Sequence, residues 1–479
     1  MKTVGPTLEL SLASSQLRRL MRLSLFATLG VGALFVASVF GSSEKSVWAV
    51  LLFEGGVIAT VGLWRGFKRA DQWTATGDLL APAIALPLAY IAWFTLGSLN
   101  VIDLPASFAS GAFIPIPASM WWYYALGLVG YWAGLFCVRS APRPYNRRLQ
   151  ATDSWDPSLF WHVIGVLVAI MLVSYVILVM KVGVPWFQEQ AEEQRMQVQG
   201  IPHFLFMSCA WTVIVLSPAY VWVRHSGRKA SIVTLTLVIM TSLLLLSLGG
   251  RTNLAIPLVT LLVVFHYLRH RVLLKSALLF SVASVTCLSI LGYARDSGLG
   301  GDVSAGWFGS LGVPAWVVPI GYSLLYIRYS VAALRDVVAT IPRQVPYQYG
   351  ALTFSPFKAF LPGHHESYDL FIKHMLGSSF NGAGQAATLL GPIYADFGAV
   401  GIFVGLFLFG LIIGKAYRAM KSQGSLISVV TYAWLVQTWF FGLLSSLFPF
   451  ITTLTMPVLW LVLDQLMTRP ASTLPIGQE

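Results

Sequence analysis

Leu159-Phe-Trp-His-Val-Ile-Gly-Val-Leu-Val-Ala-Ile-Met-Leu-Val-Ser-Tyr-Val-Ile-Leu-Val-Met180 is a run of 22 residues with no Asp, Glu, Lys or Arg. As an α-helix it is about 33 Å long, enough to cross the roughly 30 Å hydrocarbon core of a bilayer. Apolar residues follow one another instead of alternating, so a barrel strand is excluded. Asp156-Pro157 stands just before the run and Lys181 just after it, which places polar groups at both ends.

The rest of the chain repeats this pattern. Hydrophobic residues make up 56% and charged residues only 10%, with a mean hydropathy of +0.72. A soluble chain of this length carries about 25% charged residues. The fold class is therefore an all-α polytopic membrane protein. In order, the expected crossings are Leu23–Phe40, Ser46–Leu63, Leu79–Leu96, Met120–Cys137 and Leu159–Met180. A sixth ends at Arg224, and the seventh is Ile232–Leu248. The eighth returns to Arg269, the ninth is Ala277–Tyr293, and the tenth is Ala399–Gly414. The block Leu426–Leu466 is too long for one helix and holds two, turning near Pro449. The total is about twelve crossings. Leu23–Phe40 follows Arg18, Arg19 and Arg22 and reads as a signal anchor, longer than a cleaved h-region.

The charges fix a direction. With both termini cytoplasmic, 21 of the 31 Lys and Arg fall at cytoplasmic helix ends, in line with the positive-inside rule. The formal net charge of +12 is thereby explained by topology and anionic lipid contact, not by nucleic acid. Cys137, Cys209 and Cys287 all lie in apolar runs and read as packing residues, with no disulfide framework and no metal-ligand spacing. There is no Walker A loop, dinucleotide fingerprint, HExxH or GxSxG. Glu54, about eight residues into the second crossing, reads as paired or uncharged inside the bundle.

Three segments follow: crossings one to nine (1–294), a large outer loop region between crossings nine and ten (295–398), and crossings ten to twelve (399–479). The loop region carries Arg295, Arg328, Arg335, Arg343, Lys358, Lys373, His364, His365 and His374. Its apolar piece Leu311–Ile327 contains Pro314 and Pro319 and is expected to re-enter or lie in the interface. Arg328 and Arg335 are two helical turns apart and share a face of a helix over Tyr322–Val338. Two guanidiniums on one face suit a diphosphate, since each binds two oxygens. The competing reading is pairing with Asp336, Glu366 or Asp369. Arg251 lies in the turn Gly249-Gly-Arg-Thr-Asn253, where Asn253 is a candidate cap and the helix start favours an anion. The competing reading there is an arginine reaching lipid phosphate. Arg295 joins these as a fourth diphosphate candidate. His364, His365, Glu366 and His374 are candidates for a general base, against a plain solvated loop. No metal site and no cofactor is expected.

The Gly-Gly-Arg-Thr-Asn turn, Tyr326-Ile-Arg-Tyr329, Phe360-Leu-Pro-Gly363 and Thr388-Leu-Leu-Gly-Pro-Ile-Tyr-Ala-Asp-Phe-Gly398 together resemble the oligosaccharide repeat-unit polymerases, the Wzy-type O-antigen and enterobacterial-common-antigen polymerases. The likeness runs from about Gly249 to Gly401. It implies a GT-C-like membrane glycosyltransferase, metal-independent, working at the periplasmic face of a bacterial inner membrane. The implied substrate is an undecaprenyl-diphosphate-linked oligosaccharide, with membrane lipids and a chain-length regulator as further partners and no nucleic acid. Arg251 and Arg328 fall where the family has arginines; the histidines match no fixed family position. Trp307, Trp316, Tyr347 and Tyr349 are candidates to stack on sugars. An O-antigen ligase of the same superfamily, a lipid-linked glycan flippase and a non-enzymatic scaffold are the alternatives. The flippase reading would favour internal repeats and charges along a path, whereas here charge gathers on one face.

Overall fold

The structure is a computed structural model. It describes residues 78, 80–98, 116–117, 119–138, 155–184, 200–224, 226–248, 251–268, 286, 290, 318–355, 368–375, 386–423, 425–445 and 451–468. The side chains of 251, 318–326, 423, 451, 452 and 454 are outside that description. The described elements are all helices: α1 Ala85–Ser98, α2 Met120–Cys137, α3 Pro157–Val182, α4 Ile201–Arg224, α5 Arg228–Ser247 and α6 Arg251–Leu268. They continue with α7 Val318–Thr340, α8 Tyr368–Met375, α9 Leu390–Gln423, α10 Leu426–Leu444 and α11 Ile451–Met467.

Five of these (α3, α4, α5, α9 and α10) are long and apolar enough to cross a membrane. The protein is a multi-pass membrane protein. The third to eighth and tenth to twelfth expected crossings have their helices here, and the block Leu426–Leu466 does divide in two. The first and second crossings with Glu54, and nearly all of the ninth with Cys287, lie outside the described residues.

Burial sorts the helices. α4 is buried along nearly its whole length and α10 along most of it. Trp434 of α10 packs on Trp211 of α4 and Trp460 of α11, and the Trp460 indole donates to Thr212 Oγ1 at 3.2 Å. α3 and α5 instead expose aliphatic side chains such as Val166, Val173, Leu235 and Leu243, as a lipid-facing layer does. Cys209 is buried as expected, but Cys137 is exposed at the end of α2, so packing does not explain that residue.

The tightest seam joins α2 to α9. Gly130 and Gly134 face the backbone carbonyls of Phe403 and Phe407, and Gly410 faces the carbonyl of Tyr131. A Cβ at any of the three would collide with main chain, so only glycine permits this spacing.

α9 is not one rod. Gly398 has φ 64° and ψ −151°, outside helical space. Beyond it Ile393 packs against Gly401 and Gly405, eight and twelve residues on. In a straight helix positions twelve apart are about 18 Å distant. The segment 390–397 therefore doubles back along 399–405. α7 packs on α1: its Ile327 carbonyl and Val331 sit at Gly97, and the Trp93 indole donates to Ser330 Oγ at 3.3 Å. The helix expected over Tyr322–Val338 is present, and it packs against α1, α9 and α10.

Candidate active site

The C-terminal end of α1 is the starting point. Its last carbonyls have no partner within the helix, and the end carries partial negative charge. Arg328 of α7 meets that need: its guanidinium donates to the Gly97 carbonyl at 2.9 Å. Ser98 donates to the Tyr124 hydroxyl at 3.4 Å, and Phe94 stacks on the same ring at 4.3 Å. Arg328 and Arg335 are each only 6% exposed, and both lie within electrostatic reach of Tyr124. The shared face read from their spacing is thus real, and the face turns into the bundle.

Arg335 also holds Asp336, with Nε 2.7 Å and Nη2 2.6 Å from Oδ1. Burial pushes the Asp336 carboxyl above its ordinary value, although Arg335 pulls it down. The partner is the Asp336 of the competing reading, but the pair is largely withdrawn from the surface, with Arg335 buried and Asp336 partly so.

Beside this cluster the loop after α7 is pinned to the bend of α9. Asp396, fully buried, accepts from Leu352 N at 3.1 Å and from Thr353 N. Gln348 N and Tyr349 N donate to the carbonyls of Ala395 and Asp396. Tyr394 packs against both Tyr123 and Tyr347, and its hydroxyl donates to the Ile341 carbonyl at 3.3 Å. Tyr123 and Tyr124 are neighbours on α2, so one first turn serves both the arginine cluster and the pinned loop. Asp396 and Gly398 belong to the quoted motif Thr388–Gly398, but a buried acceptor for two loop amides was not read there. Tyr124 had no signal beyond its place in an aromatic run.

The remaining candidates divide. His374 is exposed in the last turn of α8, which docks through Tyr368 on Gly391. Arg295, His364, His365, Glu366, Trp307 and Trp316 lie outside the described residues. Of Arg251 only the backbone, at the start of α6, is described. Asn253 falls in the first turn of α6 instead of capping it, and its carbonyl accepts from the Trp211 indole at 2.8 Å.

Charge does not gather on one face alone. Seven residues before the other end of α1, a helix about 21 Å long, Asp78 is buried in a polar knot. Lys421 Nζ is 2.9 Å from Oδ2, and the Tyr417 hydroxyl donates to the same oxygen at 2.7 Å. The Tyr267 hydroxyl spans both oxygens at 3.0 and 3.1 Å, and His266 Nε2 is 3.3 Å from Oδ1. Tyr432 donates to the nearby Leu80 carbonyl at 2.6 Å. Sequence missed this knot because its members are 188 and 155 residues apart, each looking like an ordinary helix-end residue.

No group of three or more His, Cys, Asp or Glu suited to a metal occurs among the described residues.

A family model described as "Putative O-antigen polymerase" matches residues 98–443. No curated protein and no solved structure matches the chain. The matched span opens at Ser98, beside the Arg328 contact, and closes in α10, so it takes in both arginines, Tyr124 and the bent start of α9. With well over half of its length matched, the chain belongs to the O-antigen polymerase family.

Proposed function

We propose that the protein polymerises polysaccharide by transferring a growing glycan from undecaprenyl diphosphate to the non-reducing end of a second lipid-linked repeat unit, at the periplasmic face of the inner membrane. The observation that carries this is the pair of buried arginines, Arg328 and Arg335, converging on Tyr124 at one end of the bundle. In the reaction the bond from the anomeric carbon to the diphosphate oxygen breaks. A bond to the acceptor hydroxyl oxygen forms, its proton passes to a base, and the diphosphate leaves as an anion. Charge growing on that leaving group is what preorganised guanidiniums stabilise. The donor arrives already activated, which fits the lack of a nucleotide motif. The base is sought among His364, His365, Glu366 and His374, and Arg251 and Arg295 complete the proposed anion-binding set. Acceptor hydroxyls on lipid A core instead of a repeat unit would make the enzyme a ligase; no observation favours that.

The test is a reconstituted assay with purified lipid-linked repeat units, scored by ladder length. Arg328→Ala and Arg335→Ala are expected to lose polymer by about a hundredfold or more, the scale of one lost transition-state donor. Because Arg328 also caps α1, its folding is checked by monodispersity in detergent, and Arg328→Lys is run beside it. Full-length ladders from well-folded Arg328→Ala and Arg335→Ala would remove the arginines from the reaction.

A further inference from the structure

The bend at Gly398 and the pinned loop build a second surface that the arginine cluster does not use. Tyr349 is 79% exposed, Phe354 54% and Phe397 42%. Phe354 and Phe397 meet at Gly350, the residue next to Tyr349. A Cβ there would fall 2.9 Å from Phe354 and 3.3 Å from Phe397. Tyr347, expected from sequence to stack on sugar, is instead a half-buried strut against Tyr394 and Gly398.

We infer that Tyr349, Phe354 and Phe397 form an aromatic shelf that binds a pyranose ring of the lipid-linked glycan. The inference rests on the polymerase reading above and names its sugar subsite. Three observations carry it. First, the shelf is held rigid: Tyr349 sits at φ 49°, a left-handed conformation costly for a non-glycine residue. The hydrogen bond its backbone N–H donates to the Asp396 carbonyl, and the one Leu352 N donates to the Asp396 carboxylate, keep it there. Strain maintained to present a ring outward points to use of that ring. Second, the same loop carries polar side chains, with Arg343 and Gln344 exposed and Gln348, next to Tyr349, partly so. A sugar offers apolar C–H faces and hydroxyl edges, and matches such a mixed surface. Third, the position is right. The aliphatic stripe Val400, Val404 and Leu408 of α9 is exposed from just beyond Gly398, so the shelf stands where a lipid-facing surface ends. A lipid-linked glycan places its first sugars at that level, and the Tyr123–Tyr124 turn links shelf to arginines.

The experiment measures binding of the free repeat-unit oligosaccharide, released from its carrier, to the full-length protein by saturation-transfer NMR, alongside polymerisation. Tyr349→Ala and Phe397→Ala are expected to weaken binding roughly tenfold each, the scale of one lost aromatic contact, and to raise the acceptor KM with less effect on kcat. Tyr349→Trp is expected to keep binding and Tyr349→Leu to lose it. If Tyr349→Leu behaves as wild type, or if the alanine variants bind oligosaccharide unchanged, the rings are interface anchors and the shelf is refuted. Arg328→Ala is expected to bind oligosaccharide normally while making no polymer. A wild type that binds oligosaccharide but never polymerises, with binding lost in the shelf variants, would sink the polymerase reading and leave the shelf standing.

Discussion

Asp78→Ala is the perturbation with the largest calculable cost. The Asp78 carboxylate and the Lys421 side chain are 2% and 6% exposed, so neither charge is shared with solvent. Removing the carboxylate leaves a buried ammonium without its counter-charge, and leaves the Tyr267 and Tyr417 hydroxyls without their acceptor. Breaking a buried pair from one side costs about 3–5 kcal/mol. The aromatic rings around Lys421, centred 5.1 and 5.2 Å from Nζ, recover only part of that. Removing both charges is different, because an apolar replacement of a buried pair is often near neutral. Asp78→Asn combined with Lys421→Met is therefore expected to sit closer to wild type than Asp78→Ala does. The assay is thermal unfolding in detergent followed by size exclusion. If Asp78→Ala unfolds with wild type, or the double variant is as damaged as the single, the knot is not holding the helices. The pH dependence has a definite sign. Burial alone would raise the Asp78 carboxyl, but Lys421 and the His266 hydrogen bond outweigh it and hold it well below the ordinary carboxylate value. Its contribution is then fully present above about pH 4 and is lost only as pH falls further. Stability between pH 5 and 8 should not vary on account of Asp78.

Gly134→Leu should abolish the α2–α9 seam and yield aggregated protein by fluorescence size exclusion. Gly165→Ala on lipid-facing α3, where an added Cβ meets nothing within 4 Å, should be neutral or slightly stabilising. Chelators are expected to leave polymerisation intact in the reconstituted assay; loss of activity restored by a divalent ion would contradict the metal-independent mechanism.

Hydropathy made the helices legible. Met120–Cys137 has the expected bounds, and the two helices at Leu426–Leu444 and Ile451–Met467 were countable from length and Pro449. Helical spacing made the shared face of Arg328 and Arg335 legible as well. What pattern could not give was depth. A period of 3.6 states which residues share a face, not whether that face meets solvent or a packed helix. The doubling back at Gly398 was hidden for a related reason. The start of the tenth crossing at Ala399 was legible, but not that 390–397, with Pro392 and Asp396 in it, is itself helical and folds back from the left-handed glycine. The Asp78 knot depends on contacts across more than 150 residues, which a single sequence does not encode locally.

The knot has a mechanical consequence. It clamps the chain entering α1, the last turn of α6 and the last turns of α9 to a single carboxylate. Any opening between those helices is therefore greatest at their far ends, like tongs held at the rivet. α6 is about 27 Å long. Swinging it by about 5° about its clamped end moves its Arg251 tip by roughly 2 Å, while the riveted end stays where it is.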